Sequence, residues 1–511
     1  MSADEDSPSA TARRRIAVAY SPQLFEAAGH RLAELLAAHF RTVQASEGNV
    51  LNWIPPPENF RRALETLRDS HVDVSTDVRT NEFVDQFGRL VQLALDRGHN
   101  LHDPRYVGHQ VPATIPIAGL FEAIGSATNQ PMAIYEMGPW STSVEQALIT
   151  ELTGYIGWNA GNSAGILTHG ASLANLTALL VARNVALPQS WEQGTPRSGP
   201  PPVLISQADA HYCISRSAGI LGLGTDQVVK VPLDARRRMD PAALAETITR
   251  LKQAGHPIIA VVACACATPI GAFDPLEPIA DLCEQHGIWL HVDAAHGGAA
   301  LMSPRYRHLL AGIERADSLT WDAHKMLFVP ALCAFLFYRN KQHSYEAFRQ
   351  NAPYLFDPTW NPEWQDFESG LRTIECTKRA AAFGLWGVWS MFGPQLLTDL
   401  VETTFDLGRV LYDKLEAAAD FIALHEPQCN IVVFRHVPAE LQEASPEQLS
   451  EFQWKLRTAV VQSGEYYVVP TMFNGVAALR VTLINPLTTA DHLDNLLDTL
   501  RQTGRQILQQ P

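Results

Sequence analysis

Two short runs of this chain hold acid, imidazole and amine side chains among apolar neighbours. They are His291-Val-Asp-Ala-Ala-His-Gly-Gly298 and Trp321-Asp-Ala-His-Lys325. Lys325 precedes Met326, Leu327, Phe328 and Val329. A lysine on a strand-to-loop turn in such surroundings is partly desolvated, and its amine is a good Schiff-base former. Asp293 closes the apolar run IWLHVDAA (288–295). A carboxylate there needs a cationic partner. A plain ion pair with Lys325 is one solution, and a protonated pyridine nitrogen of a bound molecule is another. A third segment, Gly165-Ile-Leu-Thr-His-Gly-Ala-Ser-Leu-Ala-Asn175, puts the small residues Thr168, Gly170, Ala171 and Ser172 before a helical run. Small residues at a helix N-terminus expose backbone N–H groups, and the helix dipole favours an anion there. An ordinary N-cap at Ser172 is the plainer alternative.

These residues need a scaffold with strand ends at one edge. From about 101 to 390, apolar β-branched runs alternate with helical patterns. The runs are VLIS (203–206), VVKVPL around Lys230, IIAVVACA (258–265), IWLHVDAA, SLTW (318–321) and CAFLFY (333–338). Helices such as PLEPIADLCEQHG separate them. Continuous apolar strands divided by helices predict an α/β domain with a mostly parallel sheet covered on both faces. In such sheets ligands bind beyond the carboxyl ends of the strands. Residues 1–13 read as disordered and 14–100 as a helical segment. Residues 391–511 read as a small α+β domain with strands NIVVFRHV and ALRVTLIN and a final helix. The stretch PQSWEQGTPRSGPPP (188–202) reads as a surface loop.

Composition narrows the function. The 511 residues carry a formal net charge of −15. That balance, with no basic stripe, argues against nucleic acid as a partner. The opening MSADEDSPSATARRR lacks the apolar centre of a secretory signal, and no run of about eighteen apolar residues would cross a membrane. Seven cysteines, mostly in apolar surroundings, suit reduced thiols in a cytoplasm. Cys264 and Cys266 would face one side of a strand, but further ligands at suitable spacing are missing, so no metal site is expected.

In their order and spacing these segments closely resemble the group II pyridoxal-5′-phosphate (PLP)-dependent amino acid decarboxylases. That family includes aromatic-amino-acid, glutamate, cysteine-sulfinate and 2,4-diaminobutyrate decarboxylases. The likeness runs from about residue 100 to 390, and HVDAAHGG and DAHK are its most specific parts. It implies the fold type I architecture of PLP-dependent transferases. It also implies PLP as cofactor, held as a Schiff base on Lys325, and decarboxylation of an L-amino acid to an amine and CO2. His324 matches the histidine near the phosphate, and Asp293 the partner of the pyridine nitrogen. Ala295 and His211 match the residues on the two faces of the ring. Ala171 and Ser172 match phosphate-binding positions, and Thr268 the threonine near the ring oxygen. Tyr354, by ungapped spacing from Lys325, matches the loop tyrosine that returns a proton to Cα. The resemblance further implies a homodimer with active sites at the interface.

Departures from the family pattern fall at Cys266-Ala267-Thr268, His169 and Thr377-Lys378-Arg379. They bear on phosphate contacts and substrate more than on fold or cofactor. The segments around His109, Gln110 and Glu136 lie where the family builds its substrate pocket. Their polar character is closer to the glutamate and diaminobutyrate branches. Glu136 would suit a cationic side chain and His109 or Gln110 a polar one, which leaves diaminobutyrate, acidic and aromatic amino acids open. An aminotransferase, a lyase, a decarboxylation-dependent oxidative deaminase and a non-catalytic PLP-binding protein are the competing readings.

Overall fold

The computed structural model describes residues 8–70, 72, 80–196, 198–348 and 362–509. Seven strands form the central sheet: β1 (Ala164–Thr168), β2 (Val203–Gln207), β3 (Val228–Val231), β4 (Ile258–Cys264), β5 (Trp289–Asp293), β6 (Ser318–Asp322) and β7 (Ala334–Tyr338). Their order is β1-β7-β6-β5-β4-β2-β3. Strand β7 runs antiparallel to both of its neighbours, and every other pairing is parallel. Each apolar run noted in the sequence contributes a strand. Alternate residues feed two cores, because successive side chains on a strand point to opposite faces. On β4, Val261 and Ala263 join one core while Ala260 and Val262 join the other.

Helices cover both faces. α1 (Pro8–Ala19), α2 (Pro22–Gln44), α3 (Pro56–Asp69) and α4 (Thr80–Asp96) make the N-terminal segment. α5 (Pro116–Ala127), α6 (Pro139–Ile156) and α7 (Ala171–Ala186) follow. Helix α7 packs its buried face on the core that includes Trp289, Val262 and Leu336. Two boundaries differ from expectation. Helix α1 begins inside the segment 1–13 expected to be disordered, because the Ala and Arg residues of SATARRR favour helix. The domain limit at 390/391 falls within a helix, Phe383–Glu416, which breaks instead at Gly393-Pro394, where φ is 72° at Gly393.

The C-terminal unit is a four-stranded antiparallel sheet of β8 (Phe421–Ala423), β9 (Ile431–His436), β10 (Val469–Phe473) and β11 (Val476–Thr482), in the order β8-β9-β11-β10. An Asn474-Gly475 turn with positive φ at both residues closes the β10–β11 hairpin, as the twist of a two-residue connection requires. Helices Pro446–Ser463 and Ala490–Gln509 cover the sheet. Among the described residues no helix is long and apolar enough to cross a membrane.

Candidate active site

The carboxyl edge of the central sheet gathers the residues singled out in the sequence. Asp293 ends β5, and Ala295 follows it. Lys325 sits in the single helical turn Ala323–Met326 after β6. His211 lies beyond β2, Thr268 beyond β4, and Ala171 at the start of α7 after β1. Together with Gln110, these residues line one cavity, to which Asn175 and His296 also contribute. The His-Gly-Gly corner must be small to close this edge: a Cβ on Gly298 would lie 2.8 Å from the Trp321 ring.

The close carboxylate of Lys325 is Asp322, with Nζ 3.2 Å from Oδ2. Burial opposes the ammonium, but Asp322 and Asp293 together outweigh it and hold Lys325 above its ordinary pKa. Burial pushes the Asp322 carboxyl up, against the pull of Lys325 and His324. Asp322 is therefore placed to accept the proton that must leave Lys325 before the amine attacks a carbonyl. The direct Asp293–Lys325 ion pair is not formed. Asp293 instead accepts neutral hydrogen bonds, from Asn175 Nδ2 at 2.9 Å and from the Ala295 N–H at 3.2 Å. Among the described residues no cation stands within ion-pair distance of Asp293. A buried-edge carboxylate left in this state fits the protonated ring nitrogen of PLP. The His211 imidazole is held below its ordinary pKa by burial, and it accepts from the Cys213 N–H at 3.3 Å. A neutral, anchored ring suits stacking on a cofactor.

The anion cradle differs from the N-cap alternative. The cap of α7 is Gly170, at φ +105°, a conformation that glycine adopts at little cost. It offers no side chain to the first turn, and while the Leu173 and Ala174 N–H groups donate to the Gly170 carbonyl, those of Ala171 and Ser172 are left for an external acceptor such as a phosphate. Ser172 lies inside the first turn with its side chain exposed, and is not the cap. His169 turns away to bond Glu375. His324 Nδ1 sits against the Cys333 backbone, 2.8 Å from its carbonyl oxygen and 3.1 Å from its nitrogen, and its Nε2 stands 3.6 Å from Asp322 Oδ2.

The substrate candidates divide. Gln110 lines the cavity, and its Nε2 is buried without a partner. His109 lies outside the lining, with its ring 5.7 Å from that of Tyr467. Glu136 is exposed on the 3-10 turn Tyr135–Met137 and does not reach the cavity. Tyr354 lies outside the described residues. Lys378, from the segment that departs from the family pattern, is buried against Glu145 and not in the site. Cys266 lies beyond the end of β4 at φ 79°, and its thiol meets Cys429 Sγ at 3.5 Å, so the pairing of Cys264 and Cys266 on one strand face is not seen.

No role follows from sequence alone for Asp322, Asn175, His296 or Arg480, since only tertiary packing brings them here. Asp322 and His296 stand inside the two quoted motifs, which was the one available signal. His296 is buried with Nε2 2.9 Å from Asn430 Oδ1, and burial drops its pKa to about 3. Arg480, on β11, is 7% exposed and donates from Nη1 to the Thr268 carbonyl at 2.8 Å.

Comparison with known proteins agrees with this geometry. Residues 95–437 match the family described as "Pyridoxal-dependent decarboxylase conserved domain". The chain is 33% identical to the mouse (Mus musculus) acidic amino acid decarboxylase GADL1 over 472 residues, 90% of this chain and 82% of that protein. It is 31% identical to rat (Rattus norvegicus) cysteine sulfinic acid decarboxylase over 473 residues, covering 91% and 92% of the two chains. The crystal structure of mouse CSAD superposes with a TM-score of 0.84 at 29% identity, covering 95% of this chain and 99% of that one. The chain belongs to the pyridoxal-dependent decarboxylase family.

Proposed function

We propose that this decarboxylase acts on an L-amino acid whose side chain carries a second acidic group, with Lys325 as the amine that anchors the cofactor. Membership of the family makes the chain a PLP-dependent carboxy-lyase that releases CO2 from an L-amino acid. When bound, the cofactor supplies an electron sink for the pair left on Cα. The chain's own groups do the rest. Asp293 would pair with the protonated ring nitrogen, His211 and Ala295 would hold the ring plane, Thr268 would stand near the ring oxygen, and His324 near the phosphate. Ala171 and Ser172 offer N–H groups to the phosphate, and Asp322 takes and returns the Lys325 proton. Tyr354 is assigned the return of a proton to Cα.

The observation that carries the substrate class is Arg480. Its guanidinium is buried, has no carboxylate partner among the described residues, and leaves Nε without an acceptor. Burial holds its pKa below the ordinary arginine value. A buried, unpaired cation beside the Thr268 loop costs several kcal/mol unless an anion joins it. An acidic substrate supplies that anion, and the unpartnered Gln110 amide supplies a further donor. The names of the mouse and rat relatives support the same class.

CO2 release from a panel of amino acids tests this reading. Aspartate, glutamate or cysteine sulfinate should give the highest kcat/KM, and Arg480→Gln should lower it about 100-fold or more, mainly through KM. Faster turnover of diaminobutyrate or an aromatic amino acid would overturn the assignment. A homodimer is part of the same proposal. Tyr20, in the turn between α1 and α2, and Phe25, Phe60 and Leu67 on the N-terminal helices are 70–83% exposed, an apolar surface that a second copy would cover. Seven free thiols, six of them buried, suit a reducing cytoplasm.

A further inference from the structure

Side chains alternate along a strand, so Trp289, His291 and Asp293 of β5 share the face that packs on α7. Ser318, the Cα partner of His291 on β6, and Asn175, on α7, complete a continuous line. The Trp289 indole N–H donates to Ser318 Oγ at 2.9 Å. Ser318 Oγ lies 2.8 Å from His291 Nδ1. His291 Nε2 lies 2.9 Å from Asn175 Oδ1, and Asn175 Nδ2 donates to Asp293 Oδ2 at 2.9 Å. Asn175, His291 and Ser318 are fully buried.

The polarity of this line follows from its Asp293 end. An indole N–H only donates and an ionised carboxylate only accepts. Asn175 must present its amide hydrogens to Asp293, so its oxygen faces His291 and must receive a proton donor. His291 therefore carries its hydrogen on Nε2 and presents a lone pair at Nδ1, which takes the Ser318 hydroxyl. Burial lowers His291 to a pKa of about 4, against the pull of Asp293, so the ring stays neutral and keeps one hydrogen to place.

We propose that Asn175, His291 and Ser318 are positioning residues for the decarboxylation. Their one-way chain of hydrogen bonds fixes the Asp293 carboxylate in the orientation that keeps the cofactor's ring nitrogen protonated. This rests on the role given to Asp293 above, so Asp293→Asn is measured beside the chain variants. The other titratable groups that face Asp293 are Lys325, Asp322, His211, Cys213 and Cys264, and none is altered by these substitutions.

The effect should fall with distance from Asp293. Asn175→Ala removes the donor itself, His291→Phe leaves the amide unanchored at its oxygen, and Ser318→Ala removes only the outer link. Outer-shell partners of reactive groups are worth about 10- to 100-fold when lost, so kcat should drop by about 100-fold, about 10-fold and less than 10-fold in that order. The decisive readout is the ring-nitrogen chemical shift of 15N-labelled PLP bound to each protein, followed against pH. A weaker carboxylate partner lowers the ring nitrogen's pKa, so deprotonation should begin about one pH unit lower in Asn175→Ala and His291→Phe, with KM little changed. Thermal unfolding of the apoproteins establishes that each variant folds. If the two larger changes prevent folding, Ser318→Ala decides alone: a smaller shift in the same direction supports the chain, and none overturns it. Folded variants with the wild-type shift and midpoint overturn the proposal, even if kcat falls. An unmoved ring nitrogen in Asp293→Asn would instead remove the role of Asp293.

Discussion

Two lysines of this chain face buried carboxylates, and they differ in how fully their hydrogens are used. Lys378 Nζ makes three contacts of 2.7 Å, to both Glu145 oxygens and to the Leu167 carbonyl. Glu145 Oε1 also accepts the Leu167 N–H at 3.1 Å. The pair thereby satisfies the N–H and C=O of Leu167 on β1, an edge strand, and joins that edge to α6. Nothing is left over for chemistry. Lys325 has a single carboxylate within ion-pair distance, at 3.2 Å, and a side chain that remains 20% exposed in the cavity. Its amine has free hydrogens, an acceptor for its proton and room for a carbonyl. A closed ion pair holds structure, and an open one is available to react.

Exchanging the demands made on the two lysines tests that contrast. Lys325→Ala should abolish CO2 release while leaving the apoprotein folded. Detectable turnover in a pure preparation of this variant would break the contrast at once. Lys378→Met leaves Glu145 buried and uncompensated, and should cost about 3–5 kcal/mol in denaturant unfolding. The folded fraction should still release CO2 at close to the wild-type rate per bound cofactor. A stable but inactive Lys378→Met protein would show that the closed pair takes part in catalysis.

A smaller effect sharpens the same point through pH. Lys325 is held above the ordinary lysine value of 10.5, so its stabilisation is complete below that pH and is lost as pH rises through the higher folded value. Lys378 is lowered, chiefly by burial. Its folded state disfavours the charged amine, so its contribution improves as pH rises from the depressed value towards 10.5. In apoprotein unfolding between pH 8 and about 11, wild type and Lys325→Ala should converge at the alkaline end, while wild type and Lys378→Met should diverge. Parallel curves for all three proteins would contradict these directions.

The central sheet was legible because its strands are buried on both faces and read as unbroken apolar runs such as IIAVVACA. Asp293, Lys325 and His211 were legible because each stands just past such a run, where ligands bind. Other features were hidden for physical reasons. Asn175 and His291 are 116 residues apart and meet only through the packing of α7 on β5. Asp322 stands in plain view beside Lys325, but its burial follows from β6 lying inside the sheet. The strand Val469–Phe473 was masked by Pro470 and by weak alternation, although the Asn474-Gly475 turn marks its hairpin. Helix α1 overrode a polar, serine-containing start, as the helix propensity of its Ala and Arg residues favours.

The most direct test of the account is chemical. Sodium borohydride fixes an imine between the cofactor aldehyde and a lysine amine, and peptide mass mapping then locates it. The open pair predicts a pyridoxyl group on the peptide carrying Lys325, none on the peptide carrying Lys378, and none anywhere in Lys325→Ala. A preparation that releases CO2 from an amino acid yet carries the label on Lys378 or another lysine, with Lys325 unmodified, would contradict it.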